Sequence, residues 1–178
     1  FFTSTGGGVT LSGGEATLQM DFASQLLQAL KREGIHTAIE TSGFFDYAHF
    51  KDKLLPWLDL IYYDIKLIDD EASKQYCGQS NQRILDNFCR LLTDAHIPII
   101  PRIPLIPGIT TTEENLRGIA AFLDKHGVKS CALMPYNPLW SDKLRKLGLT
   151  PLYQHSGFMT PAEQAACARH FTKPHSSS

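Results

Sequence analysis

Five times along this chain a short apolar run gives way to a stretch with helical spacing. The runs are Val9 to Leu11, Ile35 to Gly43, Leu58 to Lys66, Ile99 to Ile103 and Ser130 to Pro135. They are short and rich in β-branched or apolar residues, as strands are. Between them lie predicted helices. Phe22, Leu26, Leu27 and Leu30 recur at helical spacing, with Asp21 as the expected N-cap and Gly34 as the stop. Asp46 is expected to cap a second helix through Leu55, halted by Pro56. Asp69 to Gln75 reads as one short helix. Ser80 starts a longer one whose face is Ile84, Leu85, Phe88, Leu91 and Leu92. Thr111 and Glu114 have capping-box spacing ahead of Leu116, Ile119, Phe122 and Leu123, and Gly127 ends that helix. A loop and short helix are expected after Tyr136-Asn137-Pro138, ending at Gly148. Thr160-Pro161-Ala162-Glu163 is a second capping box, opening a helix to about Phe171.

Strand alternating with helix predicts an α/β fold built on a parallel sheet. A doubly wound open sheet and a partial or full barrel both satisfy it. Residues 1–172 read as one domain, and Lys173 to Ser178 as a disordered tail. Either architecture places function at the carboxyl ends of the strands, and polar residues gather there. Glu15 follows the first strand, and Glu40 and Thr41 end the second. Asp64 and Lys66 end the third, Arg102 lies near the end of the fourth, and Tyr136 and Asn137 follow the fifth. Polar groups at all five ends point to a shared pocket.

The first strand is framed by glycine: Gly6-Gly7-Gly8 before it and Ser12-Gly13-Gly14-Glu15 after it. Paired glycines at a strand end serve a tight turn, or leave bare backbone against which a ligand can lie. Asp64 and Lys66 fall on one side of their strand, since side chains alternate. They read either as a structural ion pair or as a grip on a zwitterionic or hydroxyl-bearing ligand. Lys66 could also form a Schiff base. Glu40 and Thr41 could cap a turn or supply oxygens to a hard cation. Arg102 could bind a carboxylate or phosphate, or lie along the barrel wall.

Composition narrows the options. The chain has 178 residues, 43% of them hydrophobic, and a formal net charge of −1. A sizeable core is affordable, while a nucleic-acid or anionic-membrane footprint is not expected. No apolar run approaches a membrane span. Cys77, Cys89, Cys131 and Cys167 are at least 12 residues apart, without zinc or iron–sulfur spacing. They read as buried thiols of a cytoplasmic protein. The seven histidines have no metal-site spacing, and neither a nucleophile elbow nor a P-loop is present.

Five stretches, in order, carry a resemblance: Gly-Gly-Val-Thr-Leu-Ser-Gly-Gly-Glu-Ala (7–16), Gly-Ile-His-Thr-Ala-Ile-Glu-Thr-Ser-Gly (34–43), Tyr-Asp-Ile-Lys (63–66), Gly-Gln-Ser-Asn (78–81) and Arg-Ile-Pro-Leu-Ile-Pro-Gly (102–108). Together they resemble the glycyl-radical-enzyme activating enzymes of the radical S-adenosylmethionine superfamily, the pyruvate formate-lyase activating group. The resemblance runs from about Phe2 to about Tyr136. It implies a partial (β/α)6 TIM-like barrel in which this chain supplies all strands but the first. It implies S-adenosylmethionine and a [4Fe–4S] cluster as cofactors. Reductive cleavage then yields a 5′-deoxyadenosyl radical, which takes a hydrogen atom from a glycine of a partner glycyl radical enzyme. A flavodoxin or ferredoxin is implied as electron donor.

By resemblance, Gly13, Gly14 and Glu15 line the amino group of S-adenosylmethionine. Asp64, Ile65 and Lys66 match a motif that contacts its ribose and carboxylate region. Arg102 faces the same pocket, and Asn137 stands where relatives can carry a cofactor-contacting histidine. Glu40, Thr41 and Asp64 correspond to a possible monovalent-cation site, with Glu40 in place of the usual aspartate. The family's Cys-x-x-x-Cys-x-x-Cys cluster motif is absent from these residues. The expectation is therefore a fragment of an activase, with the iron ligands upstream of Phe1 and an open sheet edge beside Val9 to Leu11. A Schiff-base barrel lyase using Lys66 and a non-catalytic partner-binding barrel are the rival readings.

Overall fold

The computed structural model describes residues 7–139, 148, 153, 155 and 157–171. Five strands form one wholly parallel sheet: β1 (Gly8–Leu11), β2 (His36–Thr41), β3 (Leu60–Asp64), β4 (Ile99–Leu105) and β5 (Ala132–Pro135). Their spatial order is 1-2-3-4-5. This order decides between the two expected architectures. A doubly wound sheet reverses direction at a switch point and carries helices on both faces. Strands added always on the same side, through right-handed crossovers, put every helix on one face and curl the sheet into part of a barrel. β1 is paired with β2 alone, so its other edge is free among the described residues.

The helices are α1 (Met20–Arg32), α2 (Tyr47–Lys53), α3 (Asp70–Cys77), α4 (Gln82–Asp94), α5 (Glu113–Lys125) and α6 (Pro161–Ala168). Asp46 caps α2 and Asp69 caps α3, each accepting from a backbone N–H of the first turn. The Thr160–Glu163 capping box of α6 is complete. Other ends differ from expectation. A 3₁₀ turn, Ala16–Gln19, precedes α1 and is capped by Glu15, while Asp21 lies inside the helix. Pro56 sits within a second 3₁₀ turn, Leu55–Trp57, because its ring is welcome at the start of a turn. Thr112, not Thr111, caps α5. The helix expected to end at Gly148 and the tail at 173–178 lie outside the described residues.

The core fills the space between sheet and helices. Ile39, Ile61, Tyr63, Ile103 and Leu105 project into it from the strands and are almost wholly buried. Leu27, Phe50, Phe88, Leu91, Leu116 and Ile119 meet them from the helices. On the other, concave side the alternate residues Glu40, Tyr62, Asp64, Ile100, Arg102 and Pro104 stay partly exposed. β4 carries Pro101 and Pro104 inside a central strand. By the register, the absent N–H of Pro101 faces β5 before that strand begins, and that of Pro104 faces β3 beyond its end. No ladder bond is lost, and the strand runs past the expected Ile103. Among the described residues no helix is long and apolar enough to cross a membrane.

Candidate functional site

The carboxyl end of β1 turns through Ser12, Gly13 and Gly14. Gly13 and Gly14 have φ values of +86° and +41°, a region that side chains resist. Nothing lies within 4 Å of where their Cβ atoms would be, so the backbone here faces open space. A groove of about 330 Å³ runs from Thr10, Ser12 and Gly13 around the free edge of β1 to Phe22 and Leu26. That is why Phe22, expected on the buried face of α1, is 65% exposed, while the expected Leu27 is buried together with Met20, Ala23 and Ser24.

Two carboxylates stitch the ends of β1 and β2 together, one on each side of the sheet. Glu15 is on the helix side. One of its oxygens accepts from the Thr17 hydroxyl at 2.8 Å, the Thr41 hydroxyl at 2.9 Å and the Thr17 N–H at 3.3 Å. The other accepts from the Ser42 N–H at 2.8 Å and the Ser42 hydroxyl at 2.6 Å. Burial pushes the Glu15 pKa up, but the bonds from Ser42, Thr17 and Thr41 outweigh it and the net shift is downward. Glu15 is thus an ionised clamp with both oxygens engaged. What it leaves to face a ligand is the glycine backbone it holds in place.

Glu40 is on the concave side. It accepts from the Ser12 hydroxyl at 2.6 Å and pairs with Arg102 at 2.6 Å. Arg102 spans to Asp64, with Nε 2.8 Å from Oδ1, and its guanidinium lies 5.5 Å from the centre of the Tyr62 ring. The register makes this bridge: Asp64 stands directly beside Arg102, and Glu40 beside Tyr62 on the next strand. The bond from Ser12 lowers the Glu40 pKa, burial opposes it, and Arg102 adds to the lowering. Burial alone would weaken the Arg102 charge, and the Asp64 and Glu40 carboxylates more than restore it. Ser12, Glu40, Arg102 and Asp64 therefore form one row across the ends of four strands, holding two negative charges and one positive.

This geometry revises several sequence expectations. Asp64 pairs with Arg102, so the Asp64–Lys66 ion pair is not formed. Burial alternates on past the end of β3, with Ile65 and Leu67 buried and Asp64 and Lys66 partly exposed. Lys66 therefore stays on the concave side, and its ammonium has no hydrogen-bond or ion-pair partner among the described residues. The expected cation trio is not assembled. Glu40 and Thr41 are neighbours on a strand and point to opposite faces; Thr41 is 2% exposed and bonded to Glu15 and the Gly43 N–H. Arg102 stands between Glu40 and Asp64. Among the described residues no three histidine, cysteine or carboxylate side chains gather so as to hold a metal ion. Cys77, Cys89, Cys131 and Cys167 are all free. Asn137 is exposed at the rim, its side chain accepting from the Leu139 N–H, while Tyr136 turns inward against Tyr153 and His155.

Sequence reasoning missed the residues that hold the loops. Asn81, Asn87 and Asn115 are buried, and their amides grip backbone carbonyls of the strand-to-helix loops. Asn81 lay inside a recognised stretch, but a buried asparagine looks the same as an exposed one in a helical pattern. Gly43 has φ +81°, and a Cβ there would sit 1.9 Å from the Tyr63 hydroxyl, which itself donates to the Ile84 carbonyl at 2.6 Å.

The sequence profile of the Radical SAM superfamily matches residues 3–123. The chain is 41% identical over 146 residues to the isethionate sulfite-lyase activating enzyme of Nitratidesulfovibrio vulgaris, covering 80% of this chain and 46% of that protein. It is 38% identical over 173 residues to the pyruvate formate-lyase-activating enzyme of Staphylococcus epidermidis, covering 93% of this chain and 67% of that protein. Among solved structures it resembles a domain of the pyruvate-formate lyase-activating enzyme from Bacteroides vulgatus, with a TM-score of 0.71 and 27% identity over 93% of this chain and 92% of that one. The chain spans about half the length of several curated relatives it matches.

Proposed function

The chain belongs to the radical SAM superfamily, and from that premise we propose that it is the S-adenosylmethionine-binding part of a glycyl-radical-enzyme activating enzyme. The observation that carries this is the strand-end row. Open glycine backbone at Gly13-Gly14 lies next to Ser12, Glu40, Arg102 and Asp64 on the concave side. This donor set suits the cofactor. Bare backbone permits close approach of the methionine end. A net negative row favours its ammonium and sulfonium, and hydroxyl and carboxylate acceptors suit its ribose. Lys66 offers a free positive charge to its carboxylate, and Ile65, 1% exposed, anchors the segment that presents Lys66. Asn137 marks the far rim.

The cofactor, when bound with a [4Fe–4S] cluster in the whole protein, supplies a radical able to take a hydrogen atom from a glycine. The described residues do not fit the cluster itself, since no three thiols converge among them. The work of this chain is to bind, orient and shield the organic cofactor. The proposed partner is a glycyl radical enzyme, in keeping with relatives named as activators of several different lyases and of a dehydratase. A flavodoxin or ferredoxin is the proposed electron donor, and the cytoplasm the proposed compartment.

Titration calorimetry of the full-length, anaerobically reconstituted protein with S-adenosylmethionine tests the reading. Binding is expected, and Gly13→Val, though strained by the left-handed backbone, should abolish it in protein that circular dichroism shows to be folded. Equal affinity of wild type and Gly13→Val would sink the proposal. Paramagnetic resonance of the partner enzyme after incubation with reductant should then show a glycyl radical.

A further inference from the structure

Three consecutive backbone carbonyls after β3 are held by two side chains. The Asn115 amide nitrogen donates to the Lys66 carbonyl at 2.9 Å and to the Thr110 carbonyl at 2.9 Å. Its oxygen accepts from the Ile68 N–H at 2.9 Å. The Asn81 amide nitrogen donates to the Leu67 carbonyl at 3.0 Å and the Ile68 carbonyl at 2.8 Å. Asn81 is itself tied down, its own N–H donating to Asp70 at 3.0 Å. Both asparagines are buried, at 4% and 5% exposure. Carbonyls only accept, so this bonding permits a single orientation of each amide.

A strand-to-helix loop would ordinarily turn such groups to water. Here they are bound from beneath, by the first turns of α4 and α5, and Ile65 and Leu67 are sunk in the core on the same side. Lys66 alone of this segment has a free polar side chain directed to the concave face. We propose that Asn81 and Asn115 are positioning residues for Lys66. They fix its backbone so that only its side-chain torsions remain to be ordered when a ligand carboxylate binds. Freezing a presenting segment in advance removes an ordering cost from binding. The inference rests on the ligand reading above.

The test combines backbone exchange with a double-mutant cycle in the full-length protein. In Asn115→Ala, hydrogen exchange of the Ile68 N–H should quicken tenfold or more, while the Ile61 N–H in β3 keeps its rate. The Kd for S-adenosylmethionine should weaken about tenfold. In a Lys66→Ala background the same substitution should leave the already weakened Kd unchanged, because there is no lysine left to position. Asn115→Asp is the second variant if Asn115→Ala does not fold. It keeps an acceptor for Ile68 but sets a carboxylate against the Lys66 and Thr110 carbonyls, so binding should be weak at pH 8 and recover toward acid as the carboxyl becomes a donor. An equal loss of affinity with and without Lys66 overturns the proposal, as does a Kd within twofold of wild type once Ile68 exchanges freely. Failure of the wild-type protein to bind S-adenosylmethionine overturns the ligand reading instead, and is told apart because no substitution is involved. The exchange rates then still decide whether the amides fix the segment.

Discussion

The two faces of the sheet are made by alternate residues of the same strands, and they have opposite characters. On the helix side, Ile39, Ile61, Tyr63 and Ile103 are fully covered, and Phe88 packs its ring 5.1 Å from Tyr63 and 5.9 Å from Phe122. On the concave side, Glu40, Tyr62, Asp64 and Arg102 remain within reach of solvent, the three charged groups cross-linked by hydrogen bonds and Tyr62 facing the Arg102 guanidinium. The difference shows how a small sheet separates stability from chemistry. Burial on one side anchors the strands, and the other side can then hold charge and bare backbone that contribute little to folding. The buried amides and the Glu15 clamp lie on the helix side but are polar. They work at the strand ends, transferring the rigidity of the core to the loops.

Substitutions on the two faces should divide accordingly. Phe88→Ala, on the helix side, should cost the most, about 3–5 kcal/mol in chemical denaturation, because a ring's worth of cavity opens beneath β3. A loss below about 1 kcal/mol would mean that this face is not the source of stability. Gly43→Ala should come next, about 2–4 kcal/mol, since the new methyl meets the Tyr63 hydroxyl in a backbone region that alanine resists. Its destabilisation should shrink when Tyr63 is made Leu, which removes the hydroxyl, Cζ and Cε1 that would lie 1.9, 2.3 and 2.7 Å from that methyl, and a cost unchanged by that second substitution would point to backbone strain alone.

Glu15→Gln, at the boundary, should cost about 1–3 kcal/mol at neutral pH by setting an amide against the Ser42 donors. The pH dependence follows from the lowered pKa of Glu15. Its folded-state value lies below the ordinary 4.5, so its contribution is full above about pH 4.5 and is lost as pH falls through the folded value. The cost of Glu15→Gln should therefore diminish on acidification below pH 4.5, and a cost that is constant with pH would break this account. Arg102→Ala, on the concave side, should have the smallest effect on stability, about 1 kcal/mol, from leaving Glu40 and Asp64 facing each other. Its effect on S-adenosylmethionine affinity should exceed its effect on folding, and the reverse ordering would remove the distinction between the faces.

Much of this was legible in the chain. Apolar runs alternating with helical spacing specify a parallel α/β sheet, because strand and helix periods differ and each must bury one side. Asp46 and Thr160 were readable as caps because capping depends on a few adjacent residues. Gly13-Gly14 announced a bare turn, and Glu40, Asp64 and Arg102 at their strand ends announced a polar row.

Pairing between distant residues was not legible, because it depends on register and strand order. Asp64 could have met Lys66, two residues away, but meets Arg102, brought beside it by the β3–β4 pairing. Glu40 and Thr41 stand together in sequence, yet the sheet separates them to opposite faces, one to Arg102 and the other to Glu15. Asn81 and Asn115, 34 positions apart in the chain, converge on one three-residue segment only because α4 and α5 pack side by side beneath it. Local spacing determined which elements form and where the polar residues lie along them. Tertiary structure alone decided which charges neutralise each other and which lysine is left free, since those follow from contacts between strands and helices far apart in sequence.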